Sequence, residues 1–330
     1  MKKYLALALA LVLVLSLCAC GAKKEEAAAP APTDTDTVAV GAVVIARDDV
    51  PEDQIYDFVS AIFENTAAIG EQHGKGKELN LDFAASVTSV PYHPGAAKYF
   101  AEKGKTVAAV KDGAGVGEKK DLTFGTGGES GTYYAFGGVL SSYVSGAKDF
   151  NVTAVTSGGS KANIEDLMAG DVQLGFAQSD VMSYAYNGER LFDSPVTGFS
   201  VVASLYMEQV QIVTTNAKIA SVADLKGKTV SIGAVGSGVY FNAVDVLTAY
   251  GLDPEKDIKP VYQSFGDSAD SLKDGKIDAA FIVAGAPTTA ITDLATAGSV
   301  YLVSIDKEHS DKLLAASPFY STYTIPAGTY

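Results

Sequence analysis

Cysteine, histidine, arginine and tryptophan are scarce in this chain, and each scarcity excludes something. Of 330 residues only Cys18 and Cys20 are cysteines, and both end an apolar leader. The rest of the chain therefore has no disulfide, no thiolate metal site and no cysteine nucleophile. His73, His93 and His309 are the only histidines, none close in sequence to another or to a cysteine, so neither a metal centre nor a cofactor is expected. Arg47 and Arg190 are the only arginines. A guanidinium fork, which grips two carboxylate oxygens at once, is thus in short supply. Arg47 stands beside Asp48 and Asp49 and reads as a solvated ion pair, and Arg190, in Asn187-Gly188-Glu189-Arg190, reads as an exposed loop residue. Acidic residues outnumber basic ones, 39 Asp+Glu to 25 Lys+Arg, for a net charge of −14. Nucleic acid needs a basic footprint that this balance does not offer.

The apolar leader comes next. Met1-Lys2-Lys3 is a short basic start, and residues 4–17 are almost wholly apolar. The run is shorter than the ~20 residues of a spanning helix. It ends at Leu17-Cys18-Ala19-Cys20, which resembles a lipobox. Residues 1–19 read as a cleaved lipoprotein signal, with Cys20 as the lipidated residue. Residues 20–37, rich in Ala, Pro, Lys, Glu, Thr and Asp, cannot bury a core and read as a flexible tether. The expected location is extracytoplasmic, lipid-anchored to a bacterial cell membrane, as a monomer.

Beyond the tether the pattern alternates. Strands are expected at residues 122–125, 151–156 and 172–177, with helices at 132–144 and 161–169 between them. A second series starts after Glu208, with strands at 210–214, 229–233, 258–262, 279–283 and 300–304 and a helix at 239–250. Glycine-bounded β-branched runs followed by helical periodicity indicate βα units around a mostly parallel sheet. The reading is an α/β fold of two lobes, 121–209 and 210–330, with a ligand cleft between them. Residues 38–111 precede these lobes, with a strand at 38–45 and helices at 54–69 and 94–103; residues 112–120 are glycine-rich and read as a linker.

Three strand-to-helix turns carry the chemistry. Gly127, Gly128, Ser130 and Thr132 form the first, Ser157, Gly158 and Ser160 the second, Ser237 and Gly238 the third. Small residues there leave backbone N–H groups bare at the positive end of a helix, which suits a carboxylate. Ligands in open α/β sheets bind outside the carboxyl ends of the strands. Gln178 and Ser179 follow a strand to the same rim, Tyr133 and Tyr134 offer a hydroxyl and an aromatic wall, and Ala284 and Pro287 mark a further edge. With arginine so rare, amides, hydroxyls and a lysine such as Lys161 are left to hold an anion. Each glycine taken alone is explained equally by a tight connection.

The motifs Phe124-Gly125-Thr126-Gly127-Gly128 through Tyr133, Thr156-Ser157-Gly158-Gly159-Ser160 with Asn163, Leu174-Gly175-Phe176-Ala177-Gln178-Ser179-Asp180, Asp224-Leu225-Lys226-Gly227-Lys228, Gly236-Ser237-Gly238 and Val90-Pro91-Tyr92-His93-Pro94-Gly95-Ala96 together carry a family likeness. The chain resembles the TAXI class of solute-binding proteins, receptors of TRAP transporters. The resemblance implies a two-lobed periplasmic-binding-protein-like (type II) α/β fold, capture of a small organic anion, such as glutamate or a 2-oxoglutarate-like dicarboxylate, and delivery to TRAP membrane subunits, without catalysis. The order departs from the family. The stretch like residues 38–111 belongs there at the C-terminal end, so the order looks circularly permuted, with 112–120 joining the usual ends. On that reading residue 330 returns to the neighbourhood of Thr37. His93, between Tyr92 and Pro94, reads as a turn or packing residue. The alternatives are a secreted α/β hydrolase or transferase, which would lose turnover on changing His93, and a surface lipoprotein that binds a protein partner.

Overall fold

β1 (Thr35–Arg47) opens the structure, and all but two of its 13 residues are buried. Small and β-branched residues suit a strand covered on both faces. The structure is a computed structural model and describes residues 33–330; the leader, Cys20 and most of the tether lie outside the described residues. Four helices follow β1: α1 (Glu52–Phe63), α2 (Thr66–Gln72), α3 (Leu81–Ala84) and α4 (Pro94–Glu102). Three βα units come next: β2 (Leu122–Gly125) and α5 (Thr132–Ala147), β3 (Val152–Val155) and α6 (Ser160–Ala169), β4 (Leu174–Gln178) and α7 (Ser179–Asn187). The long β5 (Phe199–Thr214) leads to β6 (Thr229–Ser231), α8 (Val239–Ala249), β7 (Lys259–Val261), α9 (Phe265–Lys273), β8 (Ala279–Ala284), α10 (Thr289–Ala297), β9 (Tyr301–Leu302), α11 (Lys307–Ala316) and β10 (Ser321–Ile325).

The strands form one sheet in the order β3-β2-β4-β1-β5-β8-β6-β7, with β10 beside β1 and β9 beside β5. β3, β2 and β4 are mutually parallel, and so are β8, β6 and β7. Between these halves β1 and β5 pair antiparallel from Ala39↔Gln209 to Arg47↔Phe199. The result is a two-lobed α/β fold whose lobes share β1 and β5. The residues of β1 divide accordingly: Val38 and Val40 enter the core of the second lobe, and residues 42–46 enter that of the first.

Several expectations shift. The strand expected at 210–214 begins at Phe199, so a lobe boundary at residue 209 falls inside β5. The tether ends before residue 37, because Thr35 and Thr37 pair with Ile325 and Tyr323 of β10 and are buried. That pairing also brings residues 321–327 beside residues 34–39; the Ala327 N–H donates to the Asp34 carboxylate at 2.8 Å. The helix expected at 54–69 is two helices. The Asn65 side chain donates to the Ala61 carbonyl at 2.8 Å and Asn65 leaves helical geometry, so α1 stops and α2 begins. Residues 112–120 are no free linker. Glu52 at the start of α1 donates its N–H to Gly115 O at 2.9 Å, and Gly115 N donates to Asp48 O at 2.8 Å. They occupy main-chain groups that a helix N-terminus leaves open.

Residues 42–111 are therefore built into the first lobe, while Val38 and Val40 of β1 belong to the core of the second. At the crossing of α4 and α1 the backbones touch: a Cβ on Gly95 would lie 2.0 Å from Glu52 O. Gly95→Ala is expected to lower unfolding stability by about 1–3 kcal/mol through overpacking. Urea unfolding checks this, with a lower midpoint and an unchanged slope as the expected result.

Candidate functional site

Four helices begin at one place. α5 starts after the turn of residues 126–131, α6 after 156–159, α8 after 232–238 and α9 after 262–264. Each follows the carboxyl end of a strand, β2, β3, β6 and β7 in turn, two on each lobe. Their first residues line a cavity of about 90 Å³: Gly131, Thr132 and Tyr133; Gly159 and Ser160; Gly238 and Val239; Ser264 and Phe265. A buried water needs roughly 10–15 Å³ by this kind of measure, so the cavity has room for a few-carbon solute. Glycine is required at the turn before α6, where Gly159 has φ +102°.

Of the residues singled out from sequence, Gly127, Gly128, Thr132, Tyr133, Ser157, Gly158, Ser160, Gln178, Ser237, Gly238 and Ala284 line this cavity. Three others do not. Ser130 turns its carbonyl to the Ala290 N–H across the lobes at 3.2 Å. The Ser179 hydroxyl accepts from Gly41 N at 3.1 Å and so ties α7 to β1. Pro287 is exposed. Tyr134 faces outward, and Lys161 pairs with Glu165 away from the lining. Sequence reasoning missed Gly131, Gly159, Glu208, Ala234, Val239, Gln263, Ser264, Phe265 and Val283. Two of these had signals. Glu208 is an ionisable residue inside an apolar strand, and Ser264 precedes Asp267 by three as a helix cap does, its hydroxyl accepting from Asp267 N at 3.1 Å.

Glu208 is 2% exposed and accepts a hydrogen bond from the Tyr133 hydroxyl at 2.7 Å. The Tyr133 ring stacks on Phe176 at 4.5 Å, which fixes that hydroxyl. Burial pushes the Glu208 carboxyl up to about 8; Asp180 adds to the rise, while Tyr133 and Lys75 oppose it. Among the described residues, those lining the cavity include no lysine or arginine.

A profile of the NMT1-like family matches residues 24–104 and 124–330. The chain belongs to the NMT1-like family. The chain is also similar to solved structures. The alkanesulfonate-binding protein SsuA from Xanthomonas axonopodis pv. citri bound to MOPS is 23% identical over 57% of this chain and 61% of that one, at a TM-score of 0.40. The periplasmic aliphatic sulphonate binding protein SsuA from Escherichia coli is 20% identical over 57% and 60%, at 0.36. Holo ArgBP from T. maritima is 16% identical over 58% and 85%, at 0.36. The matched part thus spans about 60% of each sulfonate-binding protein.

In this NMT1-like chain the lobes are closed. Thr132 donates to Gly285 O at 3.0 Å, Ala162 N to Gly236 O at 3.1 Å, and Gln178 Nε2 to Asn242 Oδ1 at 3.0 Å. Asn242 donates to Asp180 at 2.9 Å and to Tyr320 at 2.9 Å. Arg190 is not the free loop residue the sequence suggested. It reaches Asp245 of α8 at 2.7 Å from the end of α7, and lies 5.2 Å from the Tyr184 ring. The cause is tertiary: Asp245 comes from the other lobe. His93 is the turn and packing residue that the sequence suggested, and lies outside the cavity lining. It is fully buried, takes the Gly95 N–H on Nδ1 and donates from Nε2 to Val50 O at 2.9 Å, and burial drops it to about 4.

Burial also raises Asp180, to about 7. Both raised carboxyls bind protons in the folded state that they have lost in the unfolded state, so stability falls as pH rises through their folded values. His93 acts oppositely, but only between about 4 and the unfolded value of about 6.5. The melting temperature is therefore expected to decline between pH 6.5 and 8.5. Thermal melts of Asp180→Asn and Glu208→Gln check this, each with a shallower decline as the expected result.

Proposed function

We propose that this chain is an extracytoplasmic solute receptor whose lobes close over a small organic acid and present it to a membrane transporter. One observation supports the reading above the others: four helix N-termini, two from each lobe, converge on one cavity between the lobes. Each carries partial positive charge and N–H groups without intrahelical partners, which together replace the scarce guanidinium. Closure supplies contacts that an open form lacks, so a solute that uses both lobes shifts the balance to the closed form. The resemblance to TAXI receptors points to a TRAP-type transporter as partner and to glutamate or a 2-oxoglutarate-like dicarboxylate as solute. Cys20 would anchor the chain to the membrane.

The permuted order belongs to the same reading. The family match comes in two spans that leave residues 105–123 unmatched, the region of the expected junction. β1 lies among the shared strands, where a strand from the far end of the chain would serve equally. A hydrolase loses its candidate base, since His93 is neutral, buried and outside the cavity lining.

Titration calorimetry with short carboxylates, dicarboxylates, keto acids and amino acids tests the proposal, with saturable one-to-one binding expected for at least one class. Gly238→Ala should weaken that binding at least tenfold, about 1.4 kcal/mol. Its Cβ would stand 1.7 Å from Gln178 Oε1 and 3.0 Å from Ser160 Oγ of the opposite lobe. Circular dichroism should show an unchanged fold; unchanged affinity would remove lobe closure from the account.

A further inference from the structure

The cavity carries two opposite electrical features, and a simple anion satisfies only one of them. The helix N-termini favour negative charge. Glu208, buried in the lining, offers a carboxyl that Tyr133 engages through Oε2. No lysine or arginine among the described lining residues pairs with Glu208, so a solute that brings only carboxylates leaves it without a cationic partner. The nearby Lys75 does not play that part. It is itself buried, 4% exposed, and its ammonium is 2.6 Å from the Glu78 carboxylate and outside the lining. Gln178 adds a second observation. It is 2% exposed, lines the cavity, and its Oε1 has no hydrogen-bond partner, so a second acceptor there awaits a donor.

We infer that Glu208 is the seat for an ammonium group, and that the site selects small zwitterionic amino-carboxylates over their deaminated counterparts. The carboxylate of such a solute lies on the helix N-termini, and its ammonium meets Glu208, with Gln178 Oε1 as a further acceptor. Tyr133 sets the separation. It is the second residue of α5 and its hydroxyl reaches Glu208, so the two seats are no further apart than one tyrosine side chain. A buried carboxyl left unpaired by a deaminated solute would face the desolvation cost of its charged form, which the ammonium offsets.

This inference rests on the receptor reading, and one experiment separates their failures. Calorimetry on the full described fold would use matched sets: L-glutamate, glutarate and 2-oxoglutarate; L-alanine, propionate and pyruvate; L-leucine and 4-methylpentanoate. The expected result is that an amino member binds at least tenfold tighter than its deaminated partners, and that Glu208→Gln weakens the amino member at least tenfold while leaving the partners within about twofold. A thermal melt of wild type and Glu208→Gln reports folding. Equal affinity of amino and deaminated members overturns the inference alone, as does a preference that survives Glu208→Gln. Absence of binding by every compound overturns the receptor reading and the inference with it.

Discussion

The pairing of β1 with β5 is the constraint on which the rest of the molecule depends. Both strands run from one lobe into the other, and their register from Ala39↔Gln209 to Arg47↔Phe199 fixes how the two parallel halves of the sheet face each other. Strand-to-helix turns leave a parallel sheet at its carboxyl edge. With the halves held by two shared strands, the carboxyl edges of both meet over the crossing, and so do the helix starts. Glu208 sits at that crossing, opposite Val40. Its place in the cavity follows from its position along β5.

Polar groups are concentrated where the lobes join. Gln209, Gln211, Asp180, Asn242 and Glu208 are all buried there, and most are hydrogen-bonded across elements: Gln209 accepts from Ala286 N, Gln211 donates to Thr288, and Asn242 bridges Asp180 and Tyr320. Apolar packing alone would hold two lobes together with little preference among nearby arrangements. Buried hydrogen bonds are demanding in direction and costly to leave unmade, so they favour one closed arrangement. Gln178 joins this network to the cavity, since one end binds Asn242 and the other lies against Gly238 in the lining. Gln178 therefore touches both the cavity and the contacts between α7 and α8.

The described residues include no group of three or more His, Cys, Asp or Glu arranged for a metal, and no helix long and apolar enough to cross a membrane. What the cavity has in place of a metal or a guanidinium is oriented main chain. Helix N-termini act over short range and gain strength where solvent is reduced, and the position of the cavity between two lobes reduces its contact with solvent.

The alternation of strand and helix, the glycine-rich turns and most of the cavity lining could be read from the sequence, because they follow from local rules: periodicity, backbone freedom and the carboxyl-edge position of βα turns. The scarcity of arginine was equally plain, and it pointed toward main-chain recognition. Tertiary structure decided the rest. The sequence marked Glu208 only as the end of one region and the start of another, and the continuity of β5 through it depends on pairing with β1 and β8, which are distant in sequence. Arg190 looked like a loop residue because its partner, Asp245, is 55 residues away and on the other lobe. Ser130, Ser179 and Pro287 belonged to the right turns yet left the lining, since which side of a turn faces a cavity is fixed by what packs behind it. Local chemistry chose the elements; long-range pairing chose which of their side chains share the enclosed space.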